Sequence, residues 1–153
     1  MASNIQIRVQ EADFDLGHEY KQLRDDNPSD GAIVTFVGLV RDINQQQVVT
    51  GLFLEHYPAM TEGALRGIVD LAKSKWPLGR VTVIHRVGQL DVSEQIVFVG
   101  VTSCHRKAAF DGAEFIMDYL KTQAPFWKKE TTSEGDKWIQ AKIEDQQKLE
   151  GWQ

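Results

Sequence analysis

Apolar and polar residues alternate at Ile5, Ile7 and Val9, the period-two signature of a half-buried strand. Asp15 stands where it can cap a short helix carrying Leu16, Tyr20 and Leu23. Asp25-Asp-Asn-Pro-Ser-Asp-Gly31 has turn composition. Residues 32–40 are almost continuously apolar, which predicts a central strand. Residues 42–47 are polar and predict a mobile surface loop; residues 48–57 return as a strand. Thr61 is the expected N-cap of a helix with Leu65, Ile68, Val69, Ala72 and Trp76 at helical spacing, stopped by Pro77 and Gly79. Val81, Val83, His85 and Val87 alternate as another strand, and Asp91-Val-Ser-Glu94 turns the chain into an apolar strand over 96–101.

A second long helix is predicted from His105 to Gln123. Ala109, Ala113, Ile116 and Leu120 form the stripe expected to face a sheet. Arg106, Phe110, Ala113, Met117 and Lys121 form an adjacent stripe, cationic at both ends and apolar between. Residues 126–131 and 137–141 read as a hairpin around Glu134-Gly-Asp136. Residues 143–153 form a polar tail apart from Trp152. Strands and helices alternate in this order without an internal repeat, and the length suits one domain over 1–153.

Composition narrows the functional classes. The chain has 153 residues, 25% charged and 42% hydrophobic, which is ordinary for a globular domain. No run reaches the roughly 20 apolar residues of a membrane span, and residues 1–8 lack a signal-peptide core. A net charge of −5 argues against a general nucleic-acid binder. The single cysteine, Cys104, cannot form an internal disulfide, so a reducing cytoplasm is expected. Cys104 reads as a small buried residue and not as a nucleophile, since a sequence-adjacent Cys-His pair rarely has catalytic geometry. His18, His56, His85 and His105 show no metal-ligand spacing, so neither metal nor cofactor is expected. His56 and His85 read as hydrogen-bonded structural residues.

Against this acidic background, Asp118-Tyr-Leu-Lys-Thr-Gln-Ala-Pro-Phe-Trp-Lys-Lys-Glu130 stands out. Lysines beside Phe126 and Trp127 suit a pocket for a flat anion: the ammonium supplies charge and the rings supply a low-dielectric wall. A helix end followed by an edge strand with lysines on its wet side fits the same residues. His105 and Arg106 open a helix, where free N–H groups and the dipole favour an anion. An arginine there opposes the dipole unless an anion is bound. Arg41 follows the apolar strand directly, at a position suited to a ligand crevice or to simple strand termination. Gly38 permits close backbone approach or a bulge.

Five blocks together resemble the MoaE family, the large subunit of molybdopterin synthase. They are Val34-Thr-Phe-Val-Gly-Leu-Val-Arg41, Leu54-Glu-His-Tyr-Pro-Ala-Met-Thr-Glu62, Trp76-Pro-Leu-Gly-Arg-Val-Thr-Val-Ile-His-Arg86, Val97-Phe-Val-Gly-Val-Thr-Ser-Cys-His-Arg106 and Phe115-Ile-Met-Asp-Tyr-Leu-Lys-Thr-Gln-Ala-Pro-Phe-Trp-Lys-Lys-Glu130. The resemblance implies an α+β fold of the α/β-hammerhead type, a mixed or antiparallel sheet with packed helices, and a homodimer. It implies a partner, a small ubiquitin-like (MoaD-like) sulfur-carrier subunit with a C-terminal Gly-Gly thiocarboxylate, giving a heterotetramer. It implies conversion of cyclic pyranopterin monophosphate (precursor Z) to molybdopterin by transfer of two sulfurs.

Family pocket positions map onto Leu39, Val40, Arg41, His105, Arg106, Lys121, Lys128, Lys129 and Glu130, with Lys121 and Lys128 catalytic. Leu39 departs from the lysine of relatives, so a contact there uses backbone or apolar surface. Two other classes fit parts of the pattern: a non-catalytic anion-binding adaptor for a ubiquitin-like partner, and a thiol enzyme using Cys104.

Overall fold

The computed structural model describes residues 4–44, 47–123, 126–132, 135–139 and 150–152. Among these residues nine strands form two sheets, and three helices pack on the first. The first sheet has the order β1 (Ile5–Gln10), β5 (Leu78–Arg86), β7 (Gln95–Ser103), β2 (Ala32–Leu39). Only β1 and β5 run parallel in it. The second is built on β4 (Gln47–His56), which pairs with β3 (Ile43–Asn44), β6 (Gly88–Asp91) and β8 (Phe126–Thr132); β9 (Gly135–Ile139) extends it from β8. The α+β expectation holds, with the strands divided between two sheets.

Central position explains why β5 and β7 are buried on both faces. On one face Val81, Val83, Val97, Val99 and Val101 pack against Leu65, Ile68, Val69 and Ala72 of α2 (Pro58–Lys75) and Ala113, Ile116 and Leu120 of α3 (Arg106–Gln123). On the other, Ile84 and Phe98 pack against Phe14 and Leu23, the latter from α1 (Leu16–Arg24). A smaller core of Val40, Leu52, Leu54, Val87 and Leu90 joins the two sheets. No helix among the described residues is long and apolar enough to cross a membrane.

Several expectations need correction. β2 is an edge strand, not a central one, and Phe36 on it is 41% exposed. An apolar run alone cannot tell a strand paired on both edges from one with an open edge. In α1 the Asp15 cap is present, its carboxylate accepting from the His18 N–H at 2.9 Å. Leu16 and Tyr20 are exposed, however, and the buried partner of Leu23 is Glu19, paired with Arg8 of β1. A short helix buries one narrow face, and here a paired carboxylate occupies part of it. α2 starts at Pro58 with Tyr57 as its cap, because proline at the first helical position lacks only an N–H that would be unbonded anyway. Thr61 therefore lies inside the helix, buried. The loop expected at 42–47 contains a hairpin, β3 turning back into β4, with Gln45 and Gln46 outside the described residues.

β6 had no separate signal. β5 passes through buried Val87 and Gly88, at φ +84°, directly into β6, so one stretch of chain serves both sheets. Most of the C-terminal tail, 140–149, lies outside the described residues, as do 133–134 at the expected hairpin turn. Trp152 docks: its Nε1 donates to Asp118 at 2.6 Å, and its ring stands edge-on to Trp76 and Phe115, 5.5 Å from each. Trp152→Ala should therefore lower unfolding free energy by roughly 1–3 kcal/mol, below the 3–5 typical of a fully buried aromatic. Denaturant melts of the full chain measure this, and an unchanged midpoint would mean that the docking contributes no stability.

Candidate active site

Strand register brings Lys128 into the molecule. Phe126 lies opposite His56, Lys128 opposite Leu54 and Glu130 opposite Leu52. Side chains alternate across a strand, and Leu52 and Leu54 are buried in the core that Phe126 also covers. Phe126, Lys128 and Glu130 thus share the inward face. Lys129 takes the outward face, its Nζ 5.4 Å from the Phe53 ring centre and 5.5 Å from that of Trp138. It is also 4.0 Å from a carboxylate oxygen of Asp136. Lys129 therefore does not share a pocket with Lys128 in this chain, because adjacent strand residues point apart.

Beneath Phe126 lies His85, which the sequence reading had placed among structural residues. The two rings stack with centres 3.9 Å apart and planes 22° from parallel. The His56 ring is 6.4 Å from Phe126. His85 is only 7% exposed, and its Nδ1 lies 2.8 Å from the Arg86 carbonyl oxygen. Burial pushes its pKa down from 6.5 to about 3; the bond to Arg86 acts the other way, while the charges of Lys128 and His56 lower it further. The imidazole is neutral near pH 7. A neutral ring meets a carbonyl oxygen by donating, so Nδ1 carries the proton and Nε2 the lone pair. The available signal was an imidazole in line with Val81, Val83 and Val87.

The path of α3 determines which other cations join Lys128. β7 ends at Ser103 and leads through Cys104 and His105 into α3. A Cβ on Gly112 would fall 2.9 Å from Leu78, and Leu78 pairs with Ser103. Gln123 is three residues before Phe126, which sits on His85, and His85 pairs with Val97. α3 therefore runs back along β7 from its Ser103 end to its Val97 end. β2 finishes at that same end, since Gly38 pairs with Val97. Arg41, Lys121 and Lys128 are gathered there. His105 and Arg106 are at the opposite end of α3, with Arg106 and Lys121 ~22 Å apart at 1.5 Å per residue.

Exposure sorts the remaining candidates. Arg41, His105, Arg106 and Lys121 are exposed and Lys128 is half-buried. Leu39 is 54% exposed beside a register shift at Gly38, where a Cβ would fall 2.7 Å from Val97. Of the two readings of Gly38, the bulge is observed. Val40 is held by its own fold: its side chain is buried, its N–H donates to the Glu94 carbonyl at 3.0 Å, and its carbonyl accepts from the Ser93 N–H at 2.8 Å. Cys104 is exposed, not buried, because it lies in the turn between β7 and α3. A shallow hollow between α2 and α3 is lined by Ala64, Gly67, Leu71, Tyr119 and Gln123. Positions 119 and 123 lie about 200° around the helix from 121, so the hollow is on the other side of α3 from Lys121.

The MoaE protein family model matches residues 9–123. The chain belongs to the MoaE family. It is 59% identical over 148 residues to the molybdopterin synthase catalytic subunit of Salmonella typhimurium, covering 95% of this chain and 97% of that one. The molybdopterin biosynthesis MoaE protein of Burkholderia ambifaria superposes with a TM-score of 0.83 at 49% identity, over 97% of each chain. A Helicobacter pylori chain, from a complex of subunits 1 and 2 of molybdopterin-converting factor, has the same fold at 22% identity and a TM-score of 0.68, over 92% of each chain.

The buried imidazole of this MoaE-family chain gives a pH dependence with a defined sign. Between 6.5 and about 3 the unfolded chain holds a proton on residue 85 that the folded chain does not. Stability is therefore withdrawn as pH falls through that window and is unaffected by this residue above it. At about 1.4 kcal/mol per unit the sum is several kcal/mol. His85→Phe should flatten the stability-against-pH slope between pH 6.5 and 4, measured by urea unfolding; a wild-type slope would show that His85 is not held neutral.

Proposed function

We propose that this chain is the catalytic subunit of a molybdopterin synthase, converting precursor Z to molybdopterin with two sulfurs from the thiocarboxylated C-terminus of a small ubiquitin-like carrier. The observation that carries the reading is the gathering of Arg41, Lys121 and half-buried Lys128 at one end of α3, against the neutral wall of His85 and Phe126. Relatives bearing that activity's name match the chain almost end to end, which supports it. The substrate is a flat pterin carrying a cyclic phosphate. Attack by the thiocarboxylate sulfur builds negative charge, and opening of the cyclic phosphate leaves an oxyanion. Lys121 and Lys128 stabilise these charges, strongly so where water is excluded. A lysine with its pKa lowered by desolvation also moves protons. Because the carrier brings the sulfur, the chain needs no nucleophile of its own, and the carrier's Gly-Gly tail ends at Lys121 and Phe126.

Arg41, His105 and Arg106 hold phosphate in this reading, with Leu39 and Glu130 at the rim. A pterin monophosphate cannot comfortably bridge the ~22 Å between Arg106 and Lys121. The site is therefore shared in a homodimer: one subunit gives Lys121 and Lys128, and its mate gives His105 and Arg106. The open edge of β2, with Phe36 exposed on it, and Phe110 on α3, 60% exposed, support a second copy there. With two carriers the assembly is a heterotetramer. Residues 1–153 act as one domain, supported by the core shared between the sheets. An exposed single cysteine suits the reducing cytoplasm.

Lys121→Ala and Lys128→Ala should each lower turnover by ~10²–10³ with little loss of stability. Wild-type turnover in either variant, at saturating carrier and precursor Z with product read by mass, would remove that residue from the mechanism. Mixing the Lys121→Ala and Arg106→Ala variants should restore activity, since mixed dimers regain one intact shared site. No recovery after confirmed subunit exchange would place the site within one subunit.

A further inference from the structure

Arg41 is exposed, and among the described residues its guanidinium has no hydrogen bond or ion pair. Its backbone, by contrast, is held on both sides. Val40 is bonded twice to the turn between β6 and β7: its N–H donates to the Glu94 carbonyl at 3.0 Å, and its carbonyl accepts from the Ser93 N–H at 2.8 Å. The Asp42 carbonyl accepts from the Val49 N–H of β4 at 2.6 Å. The turn itself is built at a cost. Ser93 has φ +73°, a left-handed conformation that glycine would adopt without strain. Such strain persists only where the surroundings impose it, and it gathers at functional sites. Here Glu94 imposes it. Its N–H closes the turn on the Asp91 carbonyl at 3.1 Å, and its Oε2 accepts from the Asp91 N–H at 2.5 Å. Its Oε1 lies 3.5 Å from Nη1 of buried Arg86, at the end of β5. A turn that only linked β6 to β7 would not need to grip the residue before Arg41.

We infer that Glu94 is a positioning residue for Arg41: it holds the Asp91–Glu94 turn in the shape that fixes Val40, and so sets where the Arg41 side chain departs. This deepens the sulfur-transfer reading above and rests on it for the phosphate that Arg41 holds. The physical advantage is entropic. An arginine on a loose loop must give up backbone freedom when it binds an anion, whereas one on a fixed backbone gives up only side-chain freedom. A guanidinium also pairs with phosphate through two parallel N–H bonds, which requires direction as well as charge.

Two measurements separate positioning from the reaction. The first needs no turnover. ¹⁵N relaxation of the full chain should show the Arg41 amide as ordered as rigid backbone, with an order parameter of about 0.85. Glu94→Ala should lower it below about 0.6 and speed exchange of the Val40 amide about tenfold or more. A mobile Arg41 amide in the wild type, or wild-type order and exchange in Glu94→Ala, overturns the proposal. Ser93→Val supplies a second disruption, since a β-branched residue is strongly disfavoured at this φ. Ser93 is exposed, so that variant loosens the turn without touching Arg86, and it decides the matter where Glu94→Ala does not fold. Ser93→Gly keeps the turn and should leave order and exchange unchanged. The second measurement uses carrier and precursor Z. Glu94→Ala should raise KM for precursor Z about tenfold, the worth of one hydrogen bond to a charged group, with kcat little changed. Glu94→Gln, which keeps an acceptor for the Asp91 N–H, should retain most of the wild-type KM. In an Arg41→Ala background Glu94→Ala should add nothing, because a residue acting through Arg41 has no effect once that side chain is gone. Wild-type KM in Glu94→Ala, or full additivity of the two substitutions, overturns the proposal. Wild-type KM in Arg41→Ala, or an inactive wild-type chain, would instead refute the reading that gives Arg41 its phosphate, and the relaxation data would still decide whether Glu94 holds Arg41 in place.

Discussion

The passage of a single extended segment through both sheets is the constraint on which the rest of the structure depends. β5 is central in the first sheet, and after Val87 and Gly88 the same chain becomes β6 of the second. Arg86 anchors the crossing. Its guanidinium is almost wholly buried, yet it donates twice to the Glu11 carbonyl, at 3.1 and 2.9 Å, and to that of Gln95 at 2.8 Å. Asp13 and Glu94 lie within 3.8 Å and 3.5 Å of it. A buried charge without partners would be severely unfavourable. Here oriented carbonyls and two carboxylates offset the desolvation, and the joint between the sheets is held by groups from the segment after β1, from β5, and from the start of β7 with the turn before it.

With the joint held, the site follows from register. β6 and β8 flank β4, so the position of β4 decides which β8 side chains meet the first sheet. Phe126 then falls over His85, and the alternation of a strand assigns Lys128 inward and Lys129 outward. A slip of one residue would exchange the two lysines. Leu52 and Leu54 oppose that slip, because it would carry their apolar side chains from the shared core to solvent. Packing energy thus selects which lysine faces inward.

Periodicity was a good guide wherever one face of an element is dry. The Val81–Val83–His85–Val87 alternation, the stripe of α3 and the Asp15 cap all appear as the residues imply. It failed where the deciding information is long-range. β2 is apolar yet has one unpaired edge, which no local pattern reveals. Glu19 is buried because Arg8 waits on a neighbouring strand. β6 is short, and its signal merges with that of β5. At the site, the cations were legible as residue types out of keeping with an acidic chain. Their grouping was not: the register of β8 turns Lys129 away from Lys128, and the packing of His85 is seen only with Phe126 lying on it.

The two ends of α3 are not equivalent in their electrostatics, and this bears on what each end is for. Lys121 lies in the last turn, where the helix dipole favours a cation by about 0.3–1 kcal/mol. Its presence there needs no ligand to explain it. Arg106 and Lys107 lie in the first turn, which contains no acidic residue, and there the dipole opposes them by a similar amount. Lys107 is partly relieved by Asp111 one turn on, at 3.1 Å. Arg106 has no such neighbour in its own turn. The helix would be more stable alone with an acid at that position, so an anion held at this end would relieve a cost that the sequence leaves standing, whereas a cation in the last turn is favoured without any ligand.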